Sequence, residues 1–339
     1  MPLDDASAIR ARQQVLGFLS DNAVHSGHEL AATLGLSHSA VQATLQTLEK
    51  LGLDVHAVPG QGYHLPHPVE MLDADTLQRH LHPLSRTHIG RLDLHPHLDS
   101  TNTRLMQQAR AGTACSGQVC LADSQGAGRG RMGRDWISPP GANVYLSLLW
   151  QFENPASLTG LSLALGVAVA RALQAEHLTG VNLKWPNDIL WQDKKLGGIL
   201  IEATGTVGGG CQVVIGLGLN RYIPPRLSGA IDQAFTDLYR IQGQAMPSRN
   251  RLIAQILNEM IPLLVSYPRQ GLAAWLDEWK TLHHWTGREV TLIQGERHVQ
   301  GVLENISGQG LLILRTPEGT LHEFGSGDVR LKRSASAPF

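Results

Sequence analysis

The chain reads as a multidomain α+β protein. Three observations point there. The first 65 residues carry helix-start signals and an apolar stripe, then end in a hairpin pattern. The middle mixes aliphatic strand segments with one long apolar helix and two further helices. From about Trp285 onward, short strands are separated by Gly-containing turns. A chain of 339 residues exceeds one ordinary core, which also calls for two or three domains. The pattern changes set the boundaries at 1–68, 69–284 and 285–339.

The N-terminal part predicts three helices and a hairpin. Ser26-Gly-His-Glu29 is a capping-box pattern, in which the Ser26 hydroxyl and the Glu29 carboxylate satisfy free N–H groups at a helix start. That helix ends near Gly35, and Ser37 caps the next one. Val41, Leu45, Leu48 and Leu51 then form one apolar stripe. Two helices joined by so short a Gly-containing turn make a helix-turn-helix pattern. Leu53 to Val58 and Tyr63 to Leu65 flank Pro-Gly-Gln-Gly, a hairpin that would serve as a wing. Leu65-Pro-His-Pro68 reads as a stiff linker, because each proline fixes φ and disfavours helix in the residue before it.

In the middle, strands are expected at Val119 to Ala122, Asn143 to Trp150, Val181 to Trp185, Ile199 to Ala203 and Gln212 to Leu217. Helices are expected from near Thr103, from Leu158 to His177, from Asn250 to Ser266 and from Leu272 to Leu282. The irregular mixture favours α+β over a βαβ repeat. Glu289 to Ile293, His298 to Glu304, Leu311 to Leu314 and Leu321 to Phe324 are short strands, and five or six such strands predict a small β-barrel. The tail from Ser334 is expected to fray.

Composition narrows the function classes. With 42% hydrophobic and 17% charged residues the chain is expected to fold as a soluble protein. The longest largely apolar run, Leu161 to Ala170, is too short for a bilayer, and Met-Pro-Leu-Asp-Asp is no signal peptide, so no membrane partner and a cytoplasmic location are expected. Cys115, Cys120 and Cys211 cannot all pair and lack metal-ligand spacing with any histidine; they read as packed thiols, and no protein-held metal site is expected. A net charge of −1 makes no global case for nucleic acid.

The segment with most chemistry is Gly126-Ala-Gly-Arg-Gly-Arg-Met-Gly-Arg-Asp-Trp136, with three arginines and four glycines in eleven residues. Glycines let backbone N–H groups and guanidinium forks close together on a small anion, typically phosphate. Gly128 to Gly133 formally matches G-x-G-x-x-G, but Arg-Asp-Trp-Ile-Ser-Pro-Pro-Gly follows and cannot begin the helix a dinucleotide fold needs. No Gly-Lys pair exists for a P-loop. Lys184 ends a strand before the Trp-Pro-Asn-Asp turn and could hold a carboxylate and a phosphate opposite the arginines. Asp99-Ser-Thr-Asn102 is an N-cap cluster whose hydroxyls could also face a ligand. None of these residues is a nucleophile with a base beside it. The pattern fits two substrates that supply nucleophile and electrophile to each other while the protein supplies position and charge.

The ordered motifs Asp-Ser-Thr-Asn, Gln-x-x-Gly-Arg-Gly-Arg-x-Gly-Arg-x-Trp, Gly-Ala-Asn-x-Tyr-Leu-Ser, Lys-Trp-Pro-Asn-Asp, Lys-Leu-x-Gly-Ile-Leu and Ile-Gly-x-Gly-x-Asn span most of the chain. With the helix-turn-helix they resemble the bifunctional biotin–protein ligases that also repress the biotin operon. The resemblance implies a winged helix-turn-helix, an α/β catalytic domain on a mixed sheet, and an SH3-like C-terminal β-barrel. It implies that biotin and ATP, the latter with Mg2+, form biotinyl-5′-adenylate and pyrophosphate. Biotin then passes to one lysine of the biotin carboxyl carrier protein of acetyl-CoA carboxylase. By position, Ser100, Thr101, Asn102, Gln125, Arg129, Gly130, Arg131 and Lys184 would bind biotin, with Arg131 and Lys184 catalytic. Gly128, Arg134, Trp136, Asn220 and Phe235 would hold the adenylate. The loop 124–135 would be mobile until ligand closes it, its clustered arginines repelling one another.

The family's DNA role implies a homodimer promoted by biotinyl-adenylate on operator DNA, with Ser37, His38, Gln42 and Gln61 as contacts. Yet no Lys or Arg lies between Ser37 and Thr47, and residues 1–68 hold three basic against six acidic residues. Few phosphates would be neutralised, so a monomer should bind DNA poorly. A lipoate- or octanoate-type ligase and a biotin-sensing transcription factor without ligase activity remain as alternatives.

Overall fold

The computed structural model describes residues 5–205 and 210–332; the tail from Ser334 lies outside them. The N-terminal unit comprises α1 (Asp5–Leu19), α2 (Gly27–Leu34), α3 (His38–Lys50), and an antiparallel hairpin of β1 (His56–Val58) and β2 (Gly62–His64). Ser26 Oγ accepts from the Glu29 N–H at 3.0 Å and Ser37 Oγ from the Ala40 N–H at 3.2 Å, so both expected caps form. The other half of the capping box differs. The Glu29 carboxylate turns to the His25 ring, 3.3 Å away, where Asp21 already makes an ion pair. Gly35 closes α2 at φ 64°. Val41, Leu45 and Leu48 pack against Val15, Leu16, Leu19 and Leu30. Leu51 caps α3 half-buried, and buried Thr44 takes the remaining inward place by bonding the Ala40 carbonyl.

The Leu65–Pro68 segment is docked rather than free. Leu65 is buried, the His67 ring lies 4.6 Å from that of Tyr222, and the Pro68 carbonyl accepts from Arg221 at 3.2 Å. Asp54 pairs with Arg226 at 3.0 Å, which ties the winged unit to the central one.

The central unit runs α4 (Ala74–His80), α5 (Pro83–His88), β3 (Arg91–His95), α6 (Thr101–Arg110), β4 (Gln118–Ala122), β5 (Val144–Phe152), α7 (Leu161–Ala175), β6 (Val181–Lys184), β7 (Asp188–Trp191), β8 (Lys194–Gly205), β9 (Cys211–Leu219), α8 (Leu238–Gln242), α9 (Arg249–Gln270) and α10 (Ala273–Leu282). Its strands form one mixed sheet in the order β3-β4-β5-β9-β8-β7-β6, parallel only between β3 and β4. Helices α7 and α9 cover one face and α6 the other. Strands buried on both faces need continuous aliphatic runs, which is why β4, β5 and β9 were legible. The short α4 and α5, edge strand β3 and β7 carry no such run and were not anticipated. Helix α6 starts at Thr101, two residues before the expected start, because Ser100 is its N-cap.

Fully buried Arg249 starts α9 and fixes the end of β4. Its guanidinium reaches Asp123 Oδ1 at 2.5 Å, and the carbonyls of Ala122 and Asn143 at 2.8 Å each. The C-terminal unit is a five-stranded antiparallel sheet of β10 (Glu289–Gln294), β11 (Arg297–Ile306), β12 (Leu312–Arg315), β13 (Leu321–Phe324) and β14 (Asp328–Leu331), ordered β13-β12-β11-β10-β14. Val290, Leu292, Leu303, Leu312, Leu314 and Val329 form its core, continuous with that of the central unit. Among the described residues no helix is long and apolar enough to cross a membrane.

Candidate active site

A cavity of about 420 Å³ opens between the α6 N-terminus, the arginine loop, the glycines of β9, segment 230–235 and the β14 start. Two glycines hollow out its floor. A Cβ on Gly216 would overlap the Asn102 amide, and one on Gly218 would overlap the Trp136 ring. One end of the cavity is a continuous polar network. Gln125 Oε1 accepts from the Thr101 N–H at 2.9 Å and Oγ1 at 3.2 Å, while Ser147 Oγ donates between Thr101 Oγ1 (2.7 Å) and Asn102 Oδ1 (2.6 Å). The Asn102 amide donates to Glu202 at 2.9 Å. Ser100, Thr101 and Asn102 are buried, so this end is preorganised for a small polar head group.

The loop arginines do not crowd one another. Arg129 pairs with Glu202 at 3.0 Å, Arg131 donates to Asn187 at 3.0 Å, and Arg134 pairs with Asp328 at 2.6 Å. Each guanidinium therefore points to a different wall, which relieves the repulsion expected from their spacing. Gly133 at φ 73° follows Met132 at φ 57°, a turn that brings the Gly130 N–H to the Arg134 carbonyl at 2.7 Å. Arg129, Gly130, Arg131, Arg134 and Trp136 line the cavity as expected, but Gly128 does not. Its carbonyl accepts from the Trp136 N–H, and a Cβ there would strike Ser138 Oγ and Gln125 Nε2; it closes the loop's base.

Lys184 ends β6 as expected, yet it too stands behind the lining. Its ammonium lies 3.3 Å from Asp188 Oδ2 and 3.4 Å from Asp328 Oδ1, two carboxylates that do face the cavity. Asp188 Oδ1 pairs in turn with Lys195 at 2.8 Å. The result is an alternating chain, Lys195–Asp188–Lys184–Asp328–Arg134, of three cations and two anions. Burial alone would raise the pKa of Asp188, but Lys195 and Lys184 outweigh it and hold the group below the usual carboxylate range. Burial likewise opposes ionisation of Asp328, which Lys184 and Arg134 nonetheless bring down to about 2. Arg131 adds a further cation, hydrogen-bonded to Asn187. Charge-assisted donors in so dry a setting match an acceptor-only phosphate or carboxylate. Among the described residues no histidine or cysteine lines the cavity, and what the lining offers is charge and position.

At the other end, segment 234–236 pairs with Lys195: its N–H reaches the Ala234 carbonyl and its carbonyl accepts from the Thr236 N–H, both at 2.9 Å. Asn220 donates to the Thr236 carbonyl at 3.1 Å, and Phe235 lines the cavity with the Arg240 guanidinium 4.6 Å from its ring. An aromatic face beside a cation chain suits a purine joined to phosphates. Elsewhere, Ser37, His38 and Gln42 lie exposed at the start of α3, and exposed Gln61 lies in the β1–β2 turn.

The sequence reading missed Lys195, Asp188, Asn187, Ser147, Glu202 and Asp328 as site residues. Four of them stood in motifs already quoted, and Glu202 lies two residues past another. Strand alternation marks which of their side chains share a face. Asp328 had no signal, because β14 was not anticipated.

Three stretches of the chain match described families. Residues 94–220 match the Biotin/lipoate A/B protein ligase family, 11–64 an HTH domain, and 286–332 the Biotin protein ligase C terminal domain. The chain is 38% identical over 319 residues to the bifunctional ligase/repressor BirA of Salmonella typhimurium, covering 94% of this chain and 96% of that one. It is 33% identical over 244 residues to a biotin–[acetyl-CoA-carboxylase] ligase of Mycobacterium tuberculosis, covering 70% and 88%. Among solved structures, biotin protein ligase from Aquifex aeolicus in complex with biotin and ATP superposes with a TM-score of 0.60 at 31% identity, covering 72% of this chain and all of that one.

Proposed function

The chain belongs to the BirA family of bifunctional ligase/repressors, and from that membership we propose how its cavity works as a biotin–protein ligase. One observation carries the reading: a preorganised polar pocket and an aromatic-edged pocket meet at one chain of carboxylate-paired cations. Biotin occupies the end built by Ser100, Thr101, Asn102 and Gln125, with Arg129 and Gly130 closing over it. The nucleotide occupies the end built by Trp136, Asn220 and Phe235, its phosphates facing Arg131, Arg134 and Lys195. The biotin carboxylate attacks the α-phosphorus, pyrophosphate leaves, and the mixed anhydride biotinyl-5′-adenylate remains. Arg131 from the lining, and Lys184 from behind Asp188 and Asp328, act catalytically by countering the charge that builds between carboxylate and phosphate. A lysine amine of the biotin carboxyl carrier protein then attacks the acyl carbon and releases AMP. Magnesium enters as part of the MgATP substrate, whose phosphate oxygens are its natural ligands.

Biotin-dependent exchange of labelled pyrophosphate into ATP tests the first step. Exchange with biotin and none with lipoate or octanoate is expected; the reverse preference would return the chain to the lipoate-type class.

The HTH domain supports a second role, repression of the biotin operon by a biotinyl-adenylate-promoted homodimer in the cytoplasm. With no Lys or Arg between Ser37 and Thr47, single half-sites bind weakly, and pairing them supplies effective concentration. His38, Gln42 and the wing near Gln61 would read base edges, and Ser37 the backbone. A gel shift on the promoter of the organism's own biotin genes should therefore require biotin plus MgATP. Tight binding without them would contradict the coupling.

A further inference from the structure

Lys184 is a long flexible ammonium, yet it is fixed on three sides, and two of the three come from the C-terminal unit. Asp328 Oδ1 lies 3.4 Å from its Nζ, and the Trp285 ring centroid lies 5.6 Å away. Asp188, which opens β7 directly opposite Lys184, supplies the third side at 3.3 Å. Both C-terminal groups are themselves held rigidly. Trp285 is buried, and its indole N–H donates to Asp193 Oδ1 at 2.6 Å, a carboxylate also paired with Arg288 at 2.9 Å. Asp328 opens β14 in register with Ile293 of β10. Gly327 before it sits at φ +144°, where a side chain would be strained and a Cβ would lie 2.6 Å from Leu292 Cδ1. The backbone can thus enter the cavity wall only with glycine at that position.

We propose that Trp285 and Asp328 of the C-terminal unit are positioning residues for Lys184. The proposal rests on the ligase reading, in which Lys184 acts on the reacting carboxylate and phosphate. An ammonium on a four-carbon stem loses much rotamer freedom when fixed, and a carboxylate plus an aromatic face fix it before substrate arrives. A carboxylate on each side, Asp188 at 3.3 Å and Asp328 at 3.4 Å, holds the ammonium in one place against the cavity wall. The C-terminal unit thereby completes the site from more than a hundred residues away in sequence. Its Asp328 also pairs with Arg134 of the loop at 2.6 Å, so closing the loop and placing the lysine share one carboxylate.

The test uses the full chain, in single-turnover formation of biotinyl-adenylate from biotin and MgATP, alongside equilibrium binding of biotin alone. Asp328→Asn keeps the shape but not the charge and should slow the step by roughly ten- to a hundredfold, the usual effect of a misplaced group. Biotin affinity should stay within about twofold, because the polar end is untouched. Trp285→Phe retains a ring face and should remain within a few-fold of the parent, whereas Trp285→Leu should slow the step like Asp328→Asn. The deciding comparison is the double variant. In a Lys184→Ala background, Asp328→Asn should lose most of its effect, since the residue it positions is gone. A parent-like rate for Asp328→Asn, or an undiminished loss in that background, overturns the proposal; the latter would assign the effect to Arg134. Should Trp285→Leu fail to fold, Asp328→Asn and Trp285→Phe still decide. A parent chain that forms no adenylate would defeat the ligase reading instead.

Discussion

Lys195 carries more weight in the site than its place in the sequence suggested. Its ammonium faces the cavity and completes the ion pairing of Asp188, while its backbone joins segment 234–236 to the sheet. Lys195→Ala removes one cavity cation and leaves Asp188 with Lys184 alone. Single-turnover adenylate formation is expected to slow by about two to three orders of magnitude, as is expected for Arg131→Ala; near-parent rates in both would rule out the site as drawn. Glu202 anchors both Asn102 and Arg129. Glu202→Ala should weaken biotin about tenfold, or ~1.4 kcal/mol, with little change in the nucleotide requirement, measured by titration calorimetry. Thr101, Asn102, Gln125, Arg131 and Trp136 were legible because each sits in a dense local motif. Asp328 was not, because proximity to Lys184 arises only when the C-terminal sheet docks, and a lone acidic residue after Gly-Ser-Gly carries no local pattern.

Among the elements, the long aliphatic strands, α7, α9 and the two capped helices of the N-terminal unit were readable from pattern, since burial imposes it. The short α4, α5 and β3 answer to tertiary contacts such as the Asn258 bonds to the His80 carbonyl and the His82 N–H. The arginine loop is held by three separate tethers on three walls, two of them salt bridges exposed enough to exchange. Limited proteolysis at residues 124–135 should slow on adding biotin and MgATP; equal cleavage with and without them would mark a merely solvated loop. The wing depends on His25, whose backbone exchanges both hydrogen bonds with Tyr63. Burial favours the neutral imidazole, but the Asp21 and Glu29 carboxylates outweigh burial and raise its pKa above the ordinary value. The stabilisation is therefore full below about pH 6.5 and is lost as pH rises through the folded value. Hydrogen exchange of the Tyr63 amide, corrected for its intrinsic rate, should show more frequent opening at pH 8.5 than at pH 6. His25→Gln should remove that difference.

Across the whole molecule, the three units share buried groups rather than meeting as separate beads. His283, in the connection from α10 to the C-terminal sheet, donates through Nδ1 to the Leu183 carbonyl at 2.7 Å and stacks on Trp279. Burial pushes its pKa down to about 4. An unfolded imidazole takes a proton near pH 6.5 that the folded ring refuses, so stability should fall as pH drops from about 6.5 to 4. Thermal melts over that range should decline, and His283→Gln should flatten the slope while lowering the neutral-pH Tm. Interdomain docking, as in the Arg221 bond to the Pro68 carbonyl and the Trp285 bond to Asp193, was invisible in the sequence, where the Leu65–Pro68 stretch read as a stiff linker and the C-terminal strands as a small barrel. The central claim is that the shared cavity makes biotinyl-adenylate and hands its acyl group to a carrier lysine. Intact-mass analysis of an apo biotin carboxyl carrier domain incubated with the full chain, biotin and MgATP tests it most directly. One biotinyl group per carrier, confined to a single lysine, dependent on ATP and lost with Arg131→Ala, is the expected result. An unmodified carrier beside a fully folded chain, or a carrier acylated by lipoate but not by biotin, would contradict it.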